Sequence, residues 1–288
     1  MYTRFSKTGI LIVYAFFFSD CALYFATKVP PQNLKFGIEQ KKTEPDRKSI
    51  LFLGDSITHG AVSSNYVDFV RKDPKLSSYL VLNEGINSRL TYQLLPLLED
   101  VVELQPEMIF ILIGTNDLIS TLGEEQFNRY KKLWKLTERP NRDTYQKNLG
   151  QILDTLQKRT KAKIVLISVP PLGEDPNSNP YQVSKDYASI DHKIAEERKI
   201  SIIPLFEILE KGLSASGRSP RASYTGNYGI MYWAIFQYYN FFRTWDGIAD
   251  SNGFEFLTDS IHLNDKGGKI LSDLIIKEIA SKEFKTKE

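Results

Sequence analysis

The chain has 288 residues, enough for one large catalytic domain or two small ones. A hydrophobic fraction of 42% and a charged fraction of 25% are ordinary for a globular protein, and a net charge of +2 argues against a dedicated nucleic-acid binder. The single cysteine, Cys21, excludes an internal disulfide framework and a Cys-rich zinc site. The three histidines, His59, His192 and His262, are far apart and lack H-E-x-x-H spacing, which weighs against a zinc hydrolase.

Arg4 and Lys7 precede an apolar stretch from Gly9 to Thr27, broken by Asp20 and followed by Lys28. This is the pattern of an export signal or a membrane anchor, and its length is near the lower limit of about 17 residues for a spanning helix. An uncleaved signal anchor over residues 1–28 is the first expectation and a cleaved signal peptide the second. Lipidation at Cys21 is a third, against which the preceding Phe18-Ser19-Asp20 counts. Either way the expected location is membrane-anchored or exported. Residues 29–48 mix Pro30, Pro31 and Pro45 with charges and read as a linker.

From Ser49 onward strand-like and helix-like segments alternate. Ile50 to Leu53 is a short apolar run that stops at Gly54, as a strand buried on both faces would. The polar cluster of Asp55, Ser56, Thr58 and His59 follows, and by itself Ser56 reads first as a helix cap and only second as a nucleophile. Asn65 to Arg71 reads as a short helix and Tyr79 to Asn83 as the second strand. Leu90, Leu94, Leu97, Leu98 and Val101 recur at helical spacing, with Pro96 inside the run as a kink. Met108 to Ile113 is the third strand and ends at Gly114-Thr115-Asn116-Asp117. Helices are expected over Gln126–Leu136 and Thr144–Arg159, a fourth strand over Lys163–Val169, a helix over Pro180–Arg198 and a fifth strand over Ile200–Pro204. The last helix is expected over Asp265–Ala280. The alternation implies βαβ units, a parallel sheet and strand ends gathered on one edge.

That edge would hold Ser56, Gly85 and Asn116, and Asp259-Ser260-Ile261-His262 stands just before the last helix. Acyl transfer through a serine needs a base, a carboxylate to orient it and donors for the oxyanion. His262 suits the base and Asp259 the orienting carboxylate. The N–H of Ser56, the N–H of Gly85 and the side-chain amide of Asn116 suit the oxyanion. With each role filled once, Ser56 reads as the nucleophile. His59 reads as pocket lining or surface, His192 as solvated, Asp55 as a brace for the loop and Ser168 as structural.

These blocks together resemble the SGNH (GDSL-type) hydrolases. Gly54-Asp55-Ser56 matches the first block, Gly85 the second, Gly114-Thr115-Asn116-Asp117 the third and Asp259-x-x-His262 the last. The second block often carries another glycine three residues on, where this chain has Ser88. The resemblance implies a three-layer flavodoxin-like α/β fold over residues 49–288, with a parallel sheet of about five strands. It implies hydrolysis of carboxylic esters of lipids, acylated sugars or small acids, with no cofactor or metal and no nucleic-acid partner. An O-acyltransferase acting on an envelope glycan and a catalytically silent membrane module remain as alternatives. An insert over residues 212–256 is dense in aromatic residues. Tyr228, Tyr232, Phe236, Tyr239 and Phe242 fall near helical spacing there, and core packing, a pocket wall, a lid or a membrane face are all compatible with it. Arg218 and Arg221 stand as faint candidates for contact with an anionic substrate group.

Overall fold

The computed structural model describes residues 28–217 and 223–285, with side chains as far as Ser281. The expected signal anchor, Cys21, Arg218 and Arg221 lie outside the described residues. Among the described residues no helix is long and apolar enough to cross a membrane.

Residues 29–48, expected as a linker, instead carry helix α1 (Leu34–Thr43), capped by the Asn33 side chain. Two contacts seat it. The Leu34 N–H donates to the buried Glu84 carboxylate at 3.0 Å, and Leu34 itself is buried in the core. The Asn83 N–H donates to Gln32 O at 2.7 Å, so the edge of the sheet is covered rather than left open. Prolines and charges disguised a helix that buries little more than Leu34 and Gly37.

Five strands form one parallel sheet in the order β2-β1-β3-β4-β5: β1 (Ser49–Gly54), β2 (Leu80–Gly85), β3 (Met108–Leu112), β4 (Lys163–Ile167) and β5 (Ser201–Ile203). This is the flavodoxin-like strand order, with the chain reversing direction of growth beside β1. Side chains alternate across the sheet. Leu51, Leu53, Ile109, Ile111, Ile164 and Leu166 pack into one core, whereas Ile50, Phe52, Phe110, Val165 and Ile167 pack into the other. Both faces are apolar, which is why the strands read as continuous hydrophobic runs.

Between the strands run α2 (Ser56–His59), α3 (Tyr66–Arg71), α4 (Leu98–Leu104), α5 (Thr115–Thr121), α6 (Glu124–Trp134), α7 (Arg142–Arg159) and α8 (Asn179–Arg198). The kinked helix expected around Pro96 is two pieces, a 3-10 segment over Thr91–Leu97 and then α4. Pro96 has no N–H to give to a longer α-helix. After β5 come α9 (Leu205–Ser216), α10 (Gly229–Phe241), α11 (Trp245–Asn252) and α12 (Asp265–Lys285). Leu271, Ile275 and Ile279 of α12 close the second core against Val67 and Val70 of α3.

The aromatic insert is only partly a packed element. Along α10, Ala234, Ile235 and Gln237 are buried, and Tyr238 stacks on Trp245 with ring centroids 4.0 Å apart. Tyr232, Trp233, Phe241 and Phe242 remain exposed.

Candidate active site

Strand β1 ends at a glycine because nothing larger fits. A Cβ on Gly54 would lie 2.1 Å from Thr58 Oγ1 and 2.5 Å from Leu112 O. The chain then turns directly into α2, whose first residue is Ser56. Asp55 caps this turn: its Oδ1 accepts the Ile57 N–H at 3.0 Å, while its Oδ2 accepts Asn116 Nδ2–H at 3.2 Å. Asp55 is therefore the brace its sequence context suggests. Its burial pushes the carboxyl up to about 6, against the hydrogen bond from Ile57 and the charges of His262 and Arg89.

The Asp259-x-x-His262 segment sits on a tight antiparallel turn. Leu257 and Leu263 form a bridge, and the Thr258 N–H donates to His262 O at 2.7 Å. Ser260, at the tip, adopts the left-handed φ of 76°. This curls the chain so that Asp259 Oδ1 accepts the N–H groups of Ile261 and His262 at 3.0 and 2.9 Å. The other oxygen, Oδ2, lies 2.8 Å from His262 Nδ1, and His262 Nε2 lies 2.8 Å from Ser56 Oγ. The structure thus joins Ser56, His262 and Asp259 in one hydrogen-bonded chain across 206 residues of sequence. All three are buried, with Ser56 7% exposed and the other two 3%. Burial works against the charged imidazole. The charge and hydrogen bond of Asp259, aided by the charge of Asp55, outweigh it and hold His262 above its usual value of 6.5.

The expected oxyanion donors fare differently. No described residue accepts the Ser56 N–H, at the start of α2. Asn116 is locked in place by Tyr130 OH, which donates to its Oδ1 at 2.7 Å. Its Nδ2 donates to Arg89 O at 3.1 Å as well as to Asp55. Gly85 departs from expectation: its N–H is donated to the side chain of Asn83, Oδ1, at 2.9 Å. The glycine is needed there for space, since a Cβ would lie 2.2 Å from His59 N. The neighbour that does reach the site is Ser88, with a left-handed φ of 61° and an N–H that no described residue accepts. The sequence carried a signal for it, the substitution of serine for glycine three residues after Gly85.

Ser56, His262, Asn116 and Ser88 border a cavity of about 130 Å³. Val62, Ile119, Met231, Ile235 and Ile261 make it apolar, and Tyr130 and Tyr228 stand in its wall. One wall thus belongs to α10 of the insert. A second cavity of about 190 Å³, lined by Lys28, His59, Ile86, Leu133 and Trp134, shares Asn87 and Ser88 with the first. His59 lines that second cavity and its Nε2 meets Lys28 O at 2.5 Å; burial lowers its pKa. His192 is half-exposed on α8, 3.1 Å from Glu207. The Ser168 hydroxyl accepts the Phe206 N–H, a structural bond.

One further site residue escaped the sequence reading. Glu174, in the segment after β4, is buried, and its carboxylate accepts the N–H groups of Glu255, Phe256 and Leu257 at 2.6, 2.7 and 2.9 Å. It clamps the segment that leads into the Asp259 turn, and the adjacent Gly173 N–H donates to Ser260 O at 2.7 Å. Its one hint in the sequence is its place in the loop after Pro170-Pro171, at the same sheet edge as the other site residues, and neighbouring Asp175 makes even that ambiguous. Among the described residues, no group of His, Cys, Asp and Glu is disposed to hold a metal ion.

Comparison with known proteins agrees with this architecture. An acetyl xylan esterase from Geobacillus stearothermophilus superposes with a TM-score of 0.52 at 18% identity, covering 81% of this chain and 94% of that one. The acetyl xylan esterase AlAXEase gives 0.54 at 20% identity, covering 80% and 99%. A lipase/acylhydrolase from Enterococcus faecalis gives 0.52 at 19% identity, covering 82% and 96%. No curated protein matches the chain in sequence. Residues 52–270 match the GDSL-like lipase/acylhydrolase family, from within β1 into α12. The chain belongs to that family and is a carboxylic ester hydrolase.

Proposed function

We propose that Ser56 is the nucleophile of a hydrolase for short-chain acyl esters, acting through an acyl-enzyme. The observation that carries this reading is the unbroken Ser56–His262–Asp259 hydrogen-bond chain with its hydroxyl end on an apolar cavity. Ser56 Oγ forms a bond to the ester carbonyl carbon as its proton passes to His262 Nε2. The tetrahedral intermediate collapses, the bond to the alcohol oxygen breaks, and the imidazolium returns the proton to that oxygen. Water repeats the cycle on the acyl-Ser56. Asp259 orients His262 and stabilises its charged form. In the Geobacillus stearothermophilus enzyme, a serine-to-alanine and a histidine-to-alanine substitution are each described as catalytic mutants, which supports the same division of roles here.

For the oxyanion we assign the N–H groups of Ser56 and Ser88, together with the Asn116 amide, which shares its hydrogens with Arg89 O and Asp55. Ser88 takes the place first expected of Gly85.

The acyl group fits the apolar cavity. An internal cavity of roughly 150 Å³ admits benzene, so about 130 Å³ accepts an acyl chain of up to roughly six carbons. The alcohol half, from a glycan or a lipid, lies toward the second cavity beyond Ser88. Arg4, Lys7 and the apolar run Gly9–Thr27 support an exported or membrane-anchored location. Labelling with a fluorophosphonate probe tests the nucleophile. Labelling of the wild type and its loss in Ser56→Ala are expected; no labelling, or labelling unchanged in Ser56→Ala, defeats the assignment. Across p-nitrophenyl esters, kcat/KM is expected to fall beyond chains of about six carbons.

A further inference from the structure

Helix α10 carries thirteen residues without one charged side chain. One strip of it is accounted for: Ile235 packs on Val62, and Ala234 on Trp245 and Ile248. Another strip, with the residue that follows the helix, faces outward. Trp233 is 53% exposed, Phe241 59% and Phe242 89%. Trp233, Phe236 and Phe241 pack on one another, with ring centroids 5.3 to 6.3 Å apart. Phe242 holds a left-handed φ of 53°, a position that favours glycine or asparagine in helix caps, and no packing rewards the phenylalanine. A contiguous exposed aromatic surface of this kind marks an interaction site.

Two observations identify its occupant. The same helix walls the Ser56 cavity through Met231, Tyr232 and Ile235, so patch and cavity mouth are continuous. The described chain also begins on this side. Lys28 O is held by His59, and Lys28 lines the second cavity with Ser88 and the exposed Leu133, which lies among the exposed Lys131, Lys132 and Lys135. Lys28, the residue that follows the apolar sequence Gly9–Thr27, thus lies at the second cavity, which shares Asn87 and Ser88 with the first. Trp and Phe on an uncharged face match the boundary between headgroups and acyl chains of a bilayer, and the exposed lysines beside Leu133 match its headgroups.

We propose that the aromatic face of α10 docks on a phospholipid bilayer and holds the mouth of the Ser56 cavity at the headgroup level. Docking rests on exposure and chain geometry alone; its consequence, that the ester is taken from the membrane surface, rests on the proposed chemistry. The test uses the full chain reconstituted in vesicles of phosphatidylcholine and phosphatidylglycerol with brominated acyl chains. Lipid bromines are expected to quench tryptophan fluorescence, and Trp233→Phe to abolish most of that quenching while Trp134 and Trp245 remain. Equal quenching in wild type and Trp233→Phe overturns the proposal, whether a second copy, the N-terminal segment or solvent covers the face instead. A paired variant, Phe241→Ser with Phe242→Ser, is expected to lose at least about tenfold in hydrolysis of a vesicle-embedded short-chain ester. Its kcat/KM on a soluble p-nitrophenyl ester should be unchanged. Equal activity of the paired variant and wild type on vesicles also overturns docking. A wild type inactive on every ester would defeat the hydrolase reading and leave the quenching result standing.

Discussion

Replacing Glu174 with alanine is expected to cost both stability and activity, although Glu174 touches none of Ser56, His262 or Asp259. Its carboxylate satisfies three consecutive N–H groups at 2.6 to 2.9 Å, two of them in buried bonds. Leaving a buried donor unpaired costs about 1–3 kcal/mol. Taking the two buried donors in full and the Glu255 N–H at the low end gives a loss of about 3–7 kcal/mol. For a domain of this size each kcal/mol moves Tm by about 2–4 °C, so a drop on the order of 10 °C is expected in thermal unfolding. The same N–H groups belong to the segment entering the Asp259 turn. Freeing it lets His262 drift from Ser56, and a displacement of about 1 Å is worth about a hundredfold in rate. Glu174→Gln keeps one oxygen for Phe256 and Leu257 but points an amide N–H at the Glu255 N–H, so it should fall between. A Glu174→Ala protein with Tm within about 2 °C of wild type and kcat/KM within about twofold would refute the clamp.

Two further outcomes follow from the site. Because Asp259 holds His262 above 6.5, and only the neutral imidazole accepts the Ser56 proton, activity should rise through a limb above pH 6.5 rather than around an unperturbed value. In Asp259→Asn burial dominates, so the limb should move below 6.5 while kcat falls by about a thousandfold or more; a pH–rate profile with an unmoved limb would rule out the pairing. At the second block, Ser88→Gly keeps the N–H and relieves a left-handed φ worth about 1 kcal/mol, so activity should persist with stability equal or higher. Gly85→Ala, whose Cβ has no space beside His59 N, should lower Tm. Full stability in Gly85→Ala together with a selective loss of kcat would restore Gly85 as the donor.

Strand positions were legible because both sheet faces are apolar, leaving runs such as Ile50–Leu53 and Met108–Ile113 without polar interruption. The residues that meet at Ser56 were legible because their order and types fit one chemistry. Hydrogen-bond occupancy was not legible. Gly85 and Ser88 both offer an N–H in sequence, and only geometry reveals that Asn83 takes the first. Helix α1 was missed because its apolar residues, Leu34, Phe36 and Ile38, are confined to its first half beside Pro30 and Pro31, and its seat includes a carboxylate, Glu84, fifty residues away. Glu174 was missed for a similar reason: its partners are backbone groups more than eighty residues on, which leave no side-chain pattern to find.

The two serines that make the site differ in what the surrounding structure asks of them. In the proposed mechanism Ser56 needs its hydroxyl, and its backbone is that of an ordinary first helical residue, with Asp55 supplying the cap. As the proposed oxyanion donor, Ser88 needs its backbone, and its side chain is incidental to the N–H it presents. Its φ of 61° is held by neighbours: the Ser88 carbonyl accepts Trp134 Nε1–H at 2.7 Å, and the Arg89 carbonyl next to it accepts the Asn116 amide. Arg89 in turn is buried against Glu84, the carboxylate that also seats α1. The turn that aims the Ser88 N–H is thus tied to α1, β2, α5 and α6 at once. Such a turn can keep a donor aimed without paying reorganisation during the reaction. The same bracing explains how serine is tolerated where the family pattern often has glycine: the backbone conformation is imposed from outside, so the residue itself need not favour it.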